Sequence, residues 1–111
     1  MTKYRVVISA TARQHFATIA DFIGQDSPKR ALSFIRELQR RCRDLSHHPL
    51  VGPVVRRSAG RDVRRVVHGR YNIFYRVDAK MIEIMAILPG AMNLDAIIPR
   101  DPDDPLNPST E

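Results

Sequence analysis

The chain has 111 residues and a mass of 12.7 kDa, which suffices for one domain with a single hydrophobic core but not for two. Hydrophobic residues make up 43% and charged residues 27%, which excludes wholly disordered, collagen-like and coiled-coil chains, and no apolar run approaches the roughly 20 residues of a membrane span. The formal net charge of +6 fits an anionic partner, either nucleic acid or an acidic protein, and net charge alone also serves solubility.

The first half of the sequence predicts a strand followed by two helices. Residues 4–9 are rich in β-branched side chains, which favours a strand. Apolar residues then recur at helical spacing from Ser9 to Gln25. Ser27 as N-cap and Pro28 in the first turn start a second helix, whose apolar stripe continues to Leu45. Two amphipathic helices joined by a short turn predict an antiparallel hairpin.

The second half of the sequence predicts an antiparallel sheet. After residue 53 the hydrophobic period changes from that of a helix to that of a strand, in segments 54–56, 62–67, 71–77 and 81–88. In the last segment we expect Ile82, Ile84, Ala86 and Leu88 on one face. The predicted fold is therefore α+β, with an N-terminal strand, a helical hairpin and a three- to four-stranded antiparallel sheet.

Composition divides the chain near residue 98. Residues 1–98 carry 17 Lys and Arg against 8 Asp and Glu, whereas residues 99–111 have a net charge of −3 and four of the eight prolines. We therefore expect one folded domain over 1–98 and a disordered, Pro- and Asp-rich tail over 99–111.

The sequence lacks the motifs of common catalytic and metal sites. It contains no glycine-rich phosphate loop, nucleophile elbow, paired-carboxylate motif or Cys/His set with metal-ligand spacing. Cys42 lies on the apolar stripe of the second helix, where a buried, inert thiol is expected. We predict no cofactor, no metal and no catalytic residue. The lone cysteine and the lack of a cleavable signal favour the cytoplasm.

Arginine is the residue type left to carry a function. Fifteen of the 18 basic residues are Arg, and seven of these lie between residues 56 and 76. Guanidinium groups suit contacts with phosphates and carboxylates, so this segment fits an RNA backbone, phosphoryl-transfer charge, an acidic partner helix, or only a solvated strand face. Strand alternation places Arg64 and Arg65 on opposite faces, so at most some of the seven share one surface.

Three segments of the chain are distinctive in combination. They are the Ser27–Pro28 helix start with its apolar stripe, Gly-Arg-Tyr-Asn-Ile-Phe-Tyr-Arg-Val at 69–77, and Ile-Glu-Ile-Met-Ala-Ile-Leu at 82–88. Together they resemble the ParE branch of the ParE/RelE toxins of bacterial type II toxin–antitoxin systems, over about residues 4–91. The resemblance implies the same strand, hairpin and sheet. It also implies a non-enzymatic toxin that inhibits DNA gyrase, arrests growth and is neutralised by a ParD-like antitoxin, through which alone it reaches operator DNA.

The resemblance also implies where this chain contacts its target and its antitoxin. ParE-like chains commonly close the last strand with Leu-His-Gly-Ala-Arg-Asp, where this chain has Leu-Pro-Gly-Ala-Met-Asn at 88–93. We expect target contacts at Leu88, Pro89, Gly90, Met92, Asn93 and Leu94, supported electrostatically by Arg61, Arg64 and Arg65. An acidic amphipathic antitoxin segment is expected on the edge of the helical hairpin and on Arg56, Arg57, Arg64, Arg65 and Arg76.

Two alternative functions stay open at this point. RelE-like relatives are ribosome-dependent mRNA interferases that use basic sheet residues and a basic or Tyr residue near the C-terminus. Residues 89–98 contain no Arg, Lys, His or Tyr, which argues against that chemistry. A degenerate member that only binds its antitoxin, and with it operator DNA as a corepressor, is the other alternative.

Overall fold

The computed structural model describes residues 3–90 and 94–106. Over these residues the elements are β1 (Arg5–Ile8), α1 (Ala10–Gly24), α2 (Pro28–Asp44), β2 (Val54–Ser58), β3 (Arg61–His68), β4 (Tyr71–Asp78), β5 (Met81–Pro89) and α3 (Leu94–Ile97). In the described part of the chain, the strands form one five-stranded sheet in the order β1-β5-β4-β3-β2. The predicted α+β fold is confirmed, and β1 extends the antiparallel sheet by pairing with β5 in parallel.

Both long helices begin where the sequence predicts a cap. The hydroxyl of Ser9 accepts a hydrogen bond from the amide of Ala12 at 3.0 Å, and that of Ser27 accepts one from Arg30 at 3.1 Å. These side chains satisfy amide groups that the first helical turn leaves without partners. Ser9 also donates to the carbonyl of Met85 at 3.1 Å, which fixes the start of α1 against β5.

The main core lies between the helices and one face of the sheet, here called the helix face. Ile19, Leu38 and Cys42 from the helices pack there against Ile73 and Tyr75 from β4. All five are buried. The side chains of β4 alternate between the two faces as the sequence predicts, since Ile73 and Tyr75 pack on this face and Phe74 packs on the other. Because apolar burial is the dominant favourable term in folding, this layer holds the two helices against the sheet.

A bulge in β5 corrects the predicted alternation of that strand. Tyr75 pairs with Ile84 but Phe74 pairs with Ala86, so Met85 is an extra residue on β5. Ile84 therefore stays on the helix face, whereas Ala86 and Leu88 pack with Phe74 on the opposite face. The expectation that Ile82, Ile84, Ala86 and Leu88 share one face is wrong beyond Met85, because the extra residue reverses the alternation.

The opposite face of the sheet, here called the strap face, carries a second core. Val63, Phe74 and Leu88 are buried there beneath Leu94 and Ile98. These last two residues belong to a C-terminal strap, defined as residues 94–106, which crosses this face and then follows β2. The strap contains the predicted domain boundary at residue 98 and is described up to residue 106.

The helices described here are either too short or too polar to span a membrane.

Gly52 anchors the connection between α2 and β2. Its amide donates to the Tyr75 hydroxyl at 2.9 Å, and Arg64 donates to its carbonyl at 2.7 Å. A Cβ atom on Gly52 would lie 2.5 Å from the carbonyl oxygen of Arg65 and 2.9 Å from the Tyr75 hydroxyl. Only glycine fits this close approach of two backbones.

We expect Gly52→Ala to lower the free energy of unfolding by about 2 kcal/mol, because the added methyl must displace the backbone of β3. Urea denaturation monitored by circular dichroism measures this change. Gly24→Ala is the matched control, since its Cβ would meet Ala31 at an ordinary 3.8 Å. Equal stabilities of the two variants would contradict the packing argument.

Candidate functional site

Three of the sheet arginines are held by carboxylates on neighbouring strands. Arg57 pairs with Asp62 at 3.0 Å, Arg61 with Asp78 at 2.9 Å, and Arg76 with Glu83 at 2.7 Å. The exposed side chains among them gain little from such pairs because water screens the charges. The pairs nevertheless reduce the net positive charge that these residues offer to a partner.

Arg56 and Arg64 serve the fold. Arg56 is buried, and its Nη1 donates to Asp95 at 2.7 Å and to the carbonyl of Ile98 at 2.9 Å. Arg64 donates to the carbonyls of Gly52 and Leu50 at 2.7 and 3.3 Å, on the side of β3 opposite Arg65. The predicted separation of Arg64 and Arg65 is confirmed. Charge reversal at Arg56 or Arg64 would disturb the fold as well as any interface.

Arg65 and Arg70 differ from the other five sheet arginines. Both are exposed, and neither side chain forms a hydrogen bond or an ion pair with the residues that the structure describes. Arg65 lies on the strap face of β3 opposite Phe74, and Arg70 lies in the turn between β3 and β4. Of the arginines that we predicted for the target or the antitoxin, Arg65 is the one most available to a partner.

The predicted target segment is only partly accessible. Leu88 and Leu94 are each 8% exposed because they form part of the core under the strap. Pro89 and Gly90 are exposed at the end of β5, and Gly90 has a positive φ of 61° that suits glycine. Met92 and Asn93 lie outside the described residues. The target role of this segment stays a prediction.

An apolar groove next to Pro89 is a feature that our sequence analysis missed. It has a volume of about 390 Å³ and lies between α1 and the ends of β4 and β5. Ile19, Phe22, Tyr71 and Pro89 line it, and Phe22 is 64% exposed. The available signal was Phe22 itself, a large aromatic residue beside the apolar stripe of α1 rather than on it. Exposed apolar surface of this kind is typical of interaction sites.

His15 joins this groove to β5. Its Nδ1 accepts a hydrogen bond from the amide of Ile87 at 3.0 Å, and burial lowers its pKa below the ordinary value. A neutral imidazole is needed for Nδ1 to accept this bond. His15 therefore holds α1 against the last strand.

The other candidates for chemistry are constrained by their surroundings. Burial raises the pKa of the Cys42 thiol to about 12, outweighing the opposing charges of Arg41 and Arg43. The thiolate is the nucleophilic form, so Cys42 is inert near neutral pH. The His68 ring lies tilted by 48° against Phe34 with ring centroids 5.5 Å apart, and its Nε2 lies 3.7 Å from a carboxylate oxygen of Glu37. Within residues 3–90 and 94–106 no group of three His, Cys, Asp or Glu side chains could hold a metal.

Carboxylates hold the strap in place along β2. The amide of Asp101 donates to the carbonyl of Arg57 at 2.9 Å, and its carboxylate accepts from the amides of Ala59 and Gly60 at 2.8 and 2.9 Å. Ala59 and Gly60 both have positive φ, so their amides point together from the β2–β3 turn. Composition predicts disorder from residue 99, whereas the structure describes such contacts up to residue 106, because composition does not reveal long-range partners. Residues 107–111 lie outside the described part.

Asp104 is the best-satisfied carboxylate of the strap. It is 1% exposed and accepts hydrogen bonds from the amides of Arg57 and Leu106 and from the Arg100 guanidinium, at 3.0, 2.9 and 3.2 Å. Burial alone raises the pKa of this carboxyl, but the amides and the guanidinium groups of Arg100 and Arg56 together hold it below the ordinary value. The charged form is therefore the one that the fold stabilises.

Comparison with known proteins gives this fold a family. The family model for the ParE toxin of the type II toxin–antitoxin system parDE matches residues 6–94. The chain belongs to the ParE toxin family. The resemblance in the sequence is thereby confirmed, and the protein is a type II toxin of the ParE/RelE superfamily. No curated protein matches the sequence.

Two solved structures share the fold of this ParE-family toxin. A chain from the chromosomal ParDE system of P. aeruginosa has a TM-score of 0.62 and 20% identity, covering 77% of this chain and 94% of its own. A chain from the RelBE2 toxin–antitoxin complex of Mycobacterium tuberculosis has a TM-score of 0.58 and 26% identity, covering 82% and 95%. Both branches of the superfamily therefore resemble this toxin in fold.

We expect Asp104→Asn to destabilise this ParE-family toxin at neutral pH, because the amide keeps the shape but loses the charge that three donors surround. A carboxyl whose pKa is lowered by folding stabilises the folded state at pH values above its unfolded pKa of about 3.9. This contribution to the free energy of unfolding is lost as the pH falls through the folded pKa. Thermal unfolding should thus separate variant and wild type at pH 7, and the difference should shrink only below about pH 4, as the pH falls toward the folded pKa. Asp103→Asn, at an exposed neighbouring position, is the control. An Asp104→Asn deficit equal to that of Asp103→Asn would contradict this account.

Proposed function

We propose that this toxin inhibits DNA gyrase by binding to it, without catalysing a reaction of its own, and that a ParD-like antitoxin neutralises it. The observation that carries the proposal is the match to the ParE toxin model across residues 6–94. That span covers both long helices, β2 to β5, all of β1 but its first residue, and the predicted target segment up to its last residue.

The state of the sheet arginines supports a non-enzymatic mode of action. General acid and base catalysis of RNA cleavage needs groups placed at the reacting phosphate and able to exchange protons. In the described part of the chain, five of the seven sheet arginines are engaged with carboxylates or carbonyls. His15 uses Nδ1 as an acceptor for β5, and the Cys42 thiol is buried. These groups are committed to structure.

The similarity to a RelBE2 chain favours a second candidate function, cleavage of ribosome-bound mRNA. Arg65 on the strap face is the exposed basic group that would support it. We place this candidate second because the family model is that of ParE.

For the target surface we propose the exposed end of β5 together with the apolar groove beside it. Pro89 and Gly90 are exposed there, and Pro89 also lines the groove next to Phe22. Aromatic side chains that are exposed in the free protein are frequent anchors of protein interfaces. Arg61, half-exposed at the far end of β3, would supply long-range attraction rather than a central contact.

We propose that the antitoxin binds the basic body of the toxin through an acidic segment. The structural neighbours come from ParDE and RelBE2 toxin–antitoxin systems, which supports an antitoxin as partner. Several arginines of α2, among them Arg36, Arg40 and Arg43, are exposed in addition to Arg65. Docking of an acidic amphipathic helix or an added strand fits this surface.

In a supercoiling assay with purified gyrase, we expect the toxin to inhibit the enzyme and the antitoxin from the neighbouring gene to relieve the inhibition. Expression in bacteria should arrest growth with induction of the DNA-damage response. Rapid loss of mRNA without gyrase inhibition would favour the ribonuclease. Failure of both activities with intact antitoxin binding would favour the degenerate corepressor.

We expect Phe22→Ser to weaken gyrase inhibition by more than about tenfold, because truncating a central aromatic contact typically costs about 2 kcal/mol of binding. The concentration that halves supercoiling is the measurement. Leu50→Ser is the matched control, since Leu50 is 63% exposed, as Phe22 is 64% exposed, but lies in the loop after α2. Equal effects of the two variants would place the target surface elsewhere.

A further inference from the structure

A cavity under the strap has a chemistry that the proposed target surface does not use. It has a volume of about 350 Å³ and lies between β2, β3, β4 and the strap. Its lining combines the basic side chains Arg56, Arg65 and Arg100 with polar Asn72 and apolar Val55 and Phe74. Three guanidinium groups around one small cavity indicate an anion as its ligand.

Arg56 provides an independent sign of a missing ligand. Its side chain is only 8% exposed, and its Nε is buried without a hydrogen-bond partner among the described residues. Its Nη1 is already occupied by Asp95 and Ile98. Buried donors of a charged group are seldom left unpaired in folded proteins, because their desolvation is costly. Arg56 also lines the cavity, so an anion held there would lie beside its side chain.

The charges around the cavity define the charge of the ligand. Arg56 is paired with Asp95, and Arg100 with Asp104. Arg65 has no carboxylate partner within the described segments. The cavity therefore carries one uncompensated positive charge, which matches a singly charged oxyanion.

We propose that this cavity binds the carboxylate of an Asp or Glu side chain on an extended acidic segment of a partner protein. The proposal deepens the proposed function, because the antitoxin is the expected owner of that segment. The strap itself shows the same chemistry one strand away, where Asp101 and Asp104 bind the backbone amides of β2 and its turn. Phe74 is 2% exposed, so the cavity offers no aromatic surface on which a nucleic-acid base could stack.

The experiment titrates the full-length ¹⁵N-labelled toxin with a terminally blocked hexaglutamate peptide and follows the Nε–H resonance of Arg56 by NMR. Hexaglutamine is the uncharged control, and hexathymidylate is the nucleic-acid probe. We expect hexaglutamate, but not hexaglutamine, to shift the Arg56 Nε–H resonance. Arg65→Gln should weaken hexaglutamate binding roughly tenfold, because it removes the uncompensated charge.

Arg5→Gln is the matched control variant, since Arg5 is also exposed but lies on β1, at the sheet edge opposite β2. It removes the same charge and should change the affinity less than about twofold if attraction is local. Equal weakening by both variants, or an unmoved Arg56 resonance, would overturn the site. Tighter binding of hexathymidylate with the same dependence on Arg65 would assign the cavity to nucleic acid and overturn the carboxylate. The titration contains neither gyrase nor antitoxin, so it stands or fails independently of the proposed function.

Discussion

The extra residue in β5 determines how the two sides of this protein are built. Without the bulge at Met85, Ala86 and Leu88 would turn to the helix face and Ile87 would turn away from it, so both cores would lose the residues that β5 now gives them beyond that position. With it, one strand contributes to both cores. The bulge also brings the carbonyl of Met85 to Ser9, so the entry of α1 is tied to the same position. A bulge in a central strand thus links the helical hairpin, the sheet and the strap.

The elements of the fold were readable from local patterns, because their causes are local. Ser27 and Pro28 predict the start of α2, because an N-cap and a proline in the first turn act only on neighbouring residues. The alternation of β4 is likewise continuous in the sequence. The bulge at Met85 and the course of the strap depend on partners far away in the chain, such as Asp101 with the β2–β3 turn. No local pattern could predict them.

The candidate sites were less predictable, for a related reason. Seven arginines between residues 56 and 76 predict a strongly basic surface. Carboxylates that are distant in sequence neutralise part of this charge, such as Asp78 for Arg61 and Asp95 for Arg56. What distinguishes Arg65 is the absence of such a partner in the described residues, which only the three-dimensional arrangement reveals. The binding properties of this fold therefore depend on which arginine side chains remain without an acidic partner.

The parallel pairing of β1 with β5 has a consequence for synthesis. Arg5 pairs with Met81, so β1, the first strand to be synthesised, cannot join the sheet until β5, the last of the five strands, has been made. Pairing across such a sequence distance comes late in folding, because the intervening chain must first be ordered. A chain that terminates before Met81 has the helices but lacks the strand between β1 and β4. An interrupted translation product of this toxin gene is thus an incomplete sheet rather than a smaller toxin.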